Sequence, residues 1–320
     1  CAMIKHRDPS DQDFGRIAVL AVGDLYQLPP VKSRNVFEWA SNPKIAADIA
    51  TPIWHKFKHH ELTQVMRQKD AEFAKILNTV RLGKPQANSY VDKKLKECEL
   101  RLKEDDPNYP INALHVYAEN VHAYARNEEV LKNIPEKQYI ISAVDKTTNK
   151  NINIDKLILP DVISQTGNMH NKLVVKVGAR VFLTYNVSVE DGITNGAYGT
   201  IQYIHEEMDP KNGNEKVSYI LVHFDSDRVG VEAKRRSPFK KMYPDAVPIT
   251  KIEVPFQFLS GKKTVFISRC NFPLSLGWAV TIHKVQGMTI DEIVVDMMEQ
   301  KGKYKVGQAY VDEIDCSNSI

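Results

Sequence analysis

The residues Gly23-Asp24-Leu25-Tyr26-Gln27-Leu28-Pro29-Pro30 follow directly on an apolar run, RIAVLAV at residues 16–22. Such a run predicts a strand covered on both faces. Open α/β sheets place their ligands at the carboxyl ends of such strands. An Asp and a Gln there can hydrogen-bond the surroundings of a phosphate or the water that attacks it. The two prolines would hold the next segment rigid. A capped turn with a solvated Gln fits the same residues.

Four other stretches carry polar groups in patterns with a chemical use. TQVMRQKD holds Arg67 just before an amphipathic segment. Its guanidinium is planar, permanently charged and suited to bidentate phosphate contact, although a surface ion pair needs only the same Arg. DGITNGAYGTI sets three glycines and Asn195 between two strand-like runs. Glycine offers positive φ and close backbone approach, and a tight β-turn is the simpler account. In LGWAVTIHKVQGMTID, Leu276, Ala279 and Val280 make an apolar face, followed by Thr281, His283, Lys284, Gln286 and a helix-ending Gly287. Thr, His and Lys near a helix end suit nucleic-acid phosphates, while Gln and Gly suit the edge of a nucleotide. A His-Lys pair on an ordinary surface looks the same. AKRRSPFKK gathers Lys234, Arg235, Arg236, Lys240 and Lys241. It reads as a phosphate-tracking patch, a nuclear address or a solvated loop.

The elements that must position these residues show in the hydrophobic pattern. Phe73, Ile76, Leu77 and Val80 fall on one face of a helix that stops at Gly83-Lys84-Pro85. Trp39, Ile45, Ile49 and Trp54 have looser helical spacing. ALHVYAENVHAYARNEEVLKNI predicts a short strand turning into a helix, half of a βαβ unit. From about Val174 the texture changes to short β-branched runs (ARVFLTY, GTIQYI, VSYILVHF, KTVFIS), with DPKNGNEK as a hairpin signal. This stretch predicts a small antiparallel barrel inserted into an α/β domain, and EIVVDM restores the α/β pattern near the C-terminus.

The bulk numbers narrow the classes. A formal charge of +3 leaves any nucleic-acid site to local clustering. Cys1, Cys98, Cys270 and Cys316 include no C-x-x-C pair, which argues against zinc and for a reducing compartment. No apolar run reaches membrane-span length, so no membrane partner is expected. The start at Cys1 reads as a fragment.

In this order and spacing the motifs resemble PIF-like ATP-dependent DNA helicases, of the superfamily-one group that includes the RecD-like 5′-to-3′ enzymes. The resemblance runs from Phe14 to Val311. It rests on GDLYQLPPV, WHKFKHHELTQVMRQ with FAKILNTVRLG, VGARVFLTYNVSVEDGITNGAYGTI, and TIHKVQGMTID. It implies an α/β fold: a RecA-like parallel-sheet lobe with an inserted SH3-like barrel, preceded by the end of a first RecA-like lobe. The implied domains are 1–58 for the first-lobe remnant, 59–196 with 268–311 for the second lobe, 197–267 for the barrel, and 312–320 for a divergent tail.

The same resemblance implies roles for individual residues. Gln27 would face the nucleotide γ-phosphate and Arg67 would sense it, with Gly23, Asp24, Gln286 and Gly287 at the nucleotide cleft. Pro29, Pro30, Asn195, Thr281, His283 and Lys284 would lie along single-stranded DNA. ATP and Mg²⁺ are the implied cofactors, with no protein-bound metal site. Single strands, duplex junctions and a missing N-terminal nucleotide-binding lobe are the implied partners. DNA repair, recombination and telomere maintenance follow as roles, with a nuclear or mitochondrial location in a eukaryote and a cytoplasmic one otherwise.

The departures matter equally. No G-x-x-x-x-G-K-[ST] and no strand ending in Asp-Glu occurs where such enzymes hold phosphates and Mg²⁺. GQAYVDEIDCSNSI begins like the family's last motif and then loses its arginine. The expectation is a helicase portion that is inactive alone. The alternative is a non-catalytic single-strand-binding remnant of a helicase or mobile element.

Overall fold

The structure is a computed structural model. It describes residues 17–26, 35, 37, 53–62, 71–82, 89–90, 93–94, 106–107, 109–110, 113–147, 152–154, 157–160, 162–208, 210, 213–260, 263–286, 288, 290 and 292–295. The chain divides into two compact units, residues 1–110 with 285–320, and residues 111–284. No helix among the described residues is long and apolar enough to cross a membrane.

In the first unit the helix read from FAKILNTV forms as α1 (Ala71–Arg81), with Ile76 and Leu77 buried. A 3-10 turn covers Ile53–Lys56, where the rings of Trp54 and Phe57 lie 5.9 Å apart. Trp39, Ile45 and Ile49, and the stop at residues 83–85, lie outside the described residues. The EIVVDM run includes a strand at Ile293–Val295. The apolar run before Gly23 is a correction. Residues 17–22 are exposed and form no strand, with Leu20 88% and Val22 84% accessible. A fully apolar strand is stable only between neighbours that cover it, and no described strand pairs with this one.

The second unit begins as expected, with β1 (Leu114–Tyr117) turning into α2 (Asn120–Asn133). Lys176 donates to the carbonyls of Lys132 and Ile134, capping the C-terminal end of α2. The strands that follow are β2 (Gln138–Ser142), β3 (Val144–Lys146), β4 (Lys172–Lys176), β5 (Arg180–Leu183), β6 (Tyr198–Met208) and β7 (Glu215–Phe224). After a short helix α3 (Val231–Arg236) come β8 (Val247–Ile249), β9 (Ile252–Ser260), β10 (Lys263–Asn271), β11 (Leu274–Leu276) and β12 (Ala279–Thr281). β12 runs parallel to β1, with His115 opposite Ala279. β6 and β7 form the antiparallel hairpin signalled by DPKNGNEK, closing at Met208 opposite Glu215.

The barrel expected over residues 197–267 is also corrected. Among the described residues no sheet closes on itself. β6, β7 and β8 belong to an open sheet ordered β11-β5-β6-β7-β8, and β9 and β10 leave it to join β3. Closure needs the last strand to find the first. Here β10 finds β3 instead, and the pairing is locked by Arg269 opposite Asp145, a bidentate pair at 2.8 Å through each nitrogen.

Two cores result. Val181, Leu183, Ile201, Ile220, Val222, Val247 and Leu274 fill the five-stranded sheet, with Leu131 of α2 and Val175 of β4 packed in. Phe256, Val265 and Ile267 fill one face of β9 and β10, against Ile152, Leu157 and Leu159. The turn before α3 is tight. Gly230 has φ of +69°, and a Cβ there would come within 2.3 Å of Val247 Cγ2.

Candidate nucleic-acid interface

β12 is an apolar strand with Ala279, Val280 and Thr281 all buried, and it delivers the chain into a single helical turn, α4 (Ile282–Val285). Leu276 ends β11, and after Gly277 and Trp278 the run Ala279–Thr281 is strand where the sequence suggested an apolar face leading to a helix-ending Gly287. The cause is non-local, since β1 supplies a parallel partner from far back in the chain. Thr281 closes the strand, and His283 stands exposed two residues later.

Lys284 is half-buried, and its Nζ lies 5.7 Å from the centroid of Phe182 in β5. Burial pulls its pKa below the usual lysine range. The ring beneath is itself supported. Phe182 pairs with Tyr198 across β5 and β6, with centroids 5.2 Å apart. The guanidinium of Arg180 lies 5.6 Å from the Tyr198 ring centroid and grips Asp225 through both nitrogens. Burial pushes the Tyr198 hydroxyl pKa well up. Cation, ring, ring, cation and carboxylate thus form one ladder leading to Lys284. Phe182, Tyr198 and Arg180 do not stand out in sequence, although Arg180 and Phe182 at i and i+2 share a strand face.

A second support comes from α2. The side chain of Asn127 is buried on the apolar face with Ala123 and Leu131. Its Oδ1 accepts from the N–H groups of Trp278 at 3.0 Å and Ala279 at 2.9 Å, and its Nδ2 donates to the Ala279 carbonyl at 2.7 Å. An Asn at a core position of an amphipathic helix is the one sequence signal of this contact.

Asn195 lies in the turn between β5 and β6, where its N–H donates to Asn186 Oδ1 at 2.8 Å. Gly196, next to it, has φ of +89°. These values match the tight turn read from DGITNG. Asp191 in the same turn accepts from the N–H groups of Glu232 and Ala233 at 2.9 Å each, capping α3. The basic cluster spans this helix and the turn after it. Arg235 and Arg236 each pair with Glu232, which reduces their local charge.

The nucleotide side is less complete. Gln27, Pro29, Pro30, Arg67 and Gly287 lie outside the described residues. Asp24 Oδ1 accepts from the Tyr26 N–H at 2.9 Å and from Arg81 at 3.0 Å, and Arg81 sits 4.8 Å from the Tyr26 ring centroid. A Cβ on Gly23 would meet nothing within 4 Å. Gln286 is exposed. No group of three or more His, Cys, Asp or Glu converges to hold a metal among the described residues. The described residues do not make up a nucleotide-holding set.

No protein-family model matches the chain. It is 28% identical over 304 residues to the ATP-dependent DNA helicase PIF1 of Danio rerio, an alignment that covers 94% of this chain and 39% of that protein. It is 25% identical over 336 residues to ATP-dependent DNA helicase Pif1 of a Psychrobacter species, covering 97% of this chain and 48% of that one. The chain is a homologue of the PIF1 helicases. It spans less than half the length of these relatives. The fold agrees with the crystal structure of Pif1 helicase from Bacteroides in complex with ADP-AlF3 and single-stranded DNA. That comparison gives a TM-score of 0.63 at 23% identity, covering 98% of this chain and 63% of the other.

Proposed function

We propose that the chain is a portion of an ATP-dependent DNA helicase that moves on single strands and unwinds duplex, and that Thr281, His283 and Lys284 contact the strand. The observation that carries this is Lys284. A half-buried cation at the end of a packed strand, resting on an aromatic face, is partly desolvated already. A phosphate oxygen at its Nζ would offset that cost and add a charge-assisted hydrogen bond. Thr281 and exposed His283 would extend the contact, and Asn195 would join it from its turn.

By the same reading residues 1–58 end a first RecA-like lobe, and residues 59–196 with 268–311 make the second. Residues 197–267 then serve as an insertion built of open sheets, with 312–320 as a tail. The exposed apolar run at residues 17–22 supports the first assignment, because it suits a strand that neighbours would cover. Gln27 and Arg67 would attend the γ-phosphate of ATP, with Mg²⁺, once a phosphate loop and acidic pair are supplied. These 320 residues by themselves would bind DNA without hydrolysing ATP. Fork junctions, repair, recombination and telomere work, in a nucleus or mitochondrion, extend the same proposal.

The test is anisotropy of a labelled oligothymidylate across a salt series. Binding should weaken linearly in log–log form, and Lys284→Ala should reduce the slope by about 0.7, the value of one single-strand phosphate contact. Salt-independent binding, or an unchanged slope in the variant, removes Lys284 from the interface.

A further inference from the structure

We propose that Asn127 is a positioning residue that sets the placement of Thr281, His283 and Lys284 by acting as a surrogate strand residue for β12. The proposal rests on the reading of Thr281, His283 and Lys284 as a strand contact.

The geometry is specific. In an extended strand the N–H and C=O of one residue point to the same side. β12 meets β1 through the groups of the alternate residues, starting with the Trp278 carbonyl just before the strand, which accepts from the His115 N–H at 2.9 Å. Ala279 therefore presents its N–H and C=O on the opposite edge, and there both are met by the single amide of Asn127. This reproduces the donor–acceptor pair that a neighbouring strand would offer. No other uncharged side chain of that size, apart from the longer Gln, carries a donor and an acceptor so arranged.

The amide is also well anchored. α2 is fixed by Leu131 in the main core and by Lys176 on its last carbonyls. Asn127 thus transfers the position of a packed helix to Ala279, two residues before Thr281 and five before Lys284. Without it the two buried groups of Ala279 and the part-buried Trp278 N–H lose their partner, and the strand end can shift. A contact residue displaced by about 1 Å loses much of its effect.

Asn127→Leu keeps the bulk and removes the amide, and Asn127→Asp keeps the acceptor while removing the donor to Ala279. Ile267→Ala, in the separate β9–β10 core, serves as a control for general destabilisation. Oligothymidylate binding and amide hydrogen exchange are measured on the whole chain, well below each variant's melting temperature. Asn127→Leu should weaken binding by roughly tenfold, about the worth of one charged contact. Its amides at 278–282 should exchange faster than those of β6 and β7. Asn127→Asp, which sets a carboxylate against the Ala279 carbonyl, should show at least as large a loss of the same kind and stands in if the Leu variant does not fold. Ile267→Ala should change neither readout locally. Parent-like affinity in a folded Asn127 variant, or an equal loss in Ile267→Ala, overturns the proposal. If the parent chain binds no oligonucleotide, the proposed strand contact fails instead. The exchange pattern then decides alone, and unchanged exchange at 278–282 sinks the clamp.

Discussion

The corner at Gly23–Asp24 and the end of β12 have the same form in sequence, an apolar run that gives way to polar residues. They are built in opposite ways. At the corner the run is exposed, and Asp24 is committed to its own turn and to Arg81. At β12 the run is buried, paired with β1 and gripped by Asn127, and only then does the chain emerge at His283 and Lys284. A polar strand end is held in a defined place when the strand behind it is packed. Where the strand is bare, the polar residues settle their needs locally.

This contrast predicts how much each region resists change. The largest effect belongs to the packed region. Arg269 is 1% exposed, bonds Asp145 through two nitrogens and donates to the Met169 carbonyl at 3.3 Å. Arg269→Ala leaves Asp145 without its buried partner and should cost about 3–5 kcal/mol in urea unfolding. A loss below about 1 kcal/mol would mean that this region is no better packed than the corner.

The next effect is pH-dependent. His170 lies beside Arg269, with Nε2 3.0 Å from Ser275 Oγ. Burial, with the charges of Arg269 and Lys284, lowers its pKa to about 4. The unfolded chain binds this proton near pH 6.5 and the folded chain does not, so stability is full above that value. It falls between about pH 6.5 and 4, by roughly 3 kcal/mol in all. Unfolding midpoints at pH 7, 5.5 and 4.5 should show the fall, and His170→Asn should flatten it. An equal slope in the variant would assign the acid sensitivity elsewhere.

The smallest effect is expected at the corner. Asp24→Asn keeps the acceptor for the Tyr26 N–H and loses the charge facing Arg81, whose side chain is 29% exposed. Screening limits such a pair to about 0–1 kcal/mol. A melting shift as large as that of Arg269→Ala would erase the contrast between the two regions.

What was legible in the sequence was local. The period of FAKILNTV, the strand–helix step at LHVY, and the hairpin at DPKNGNEK all depend on neighbours within a few residues, and each formed. What failed was pairing at a distance. The apolar run before Gly23 looks the same whether or not strands flank it. KTVFIS does not reveal that it will join β3 rather than close a barrel, a choice sealed by Arg269 and Asp145. Thr281 and Lys284 could be named from residue type, but Phe182, Tyr198 and Asn127, which hold them, are ordinary core residues until the strands are placed.

The turn at Gly230 carries one more consequence. Its backbone sits where side chains are strained, and the space a Cβ would need is filled by Val247. Two positions far apart in the chain are thus bound to a shared history. A descendant that loses the glycine has to reshape the turn and shrink its neighbour, so across relatives the two sites should drift as a couple.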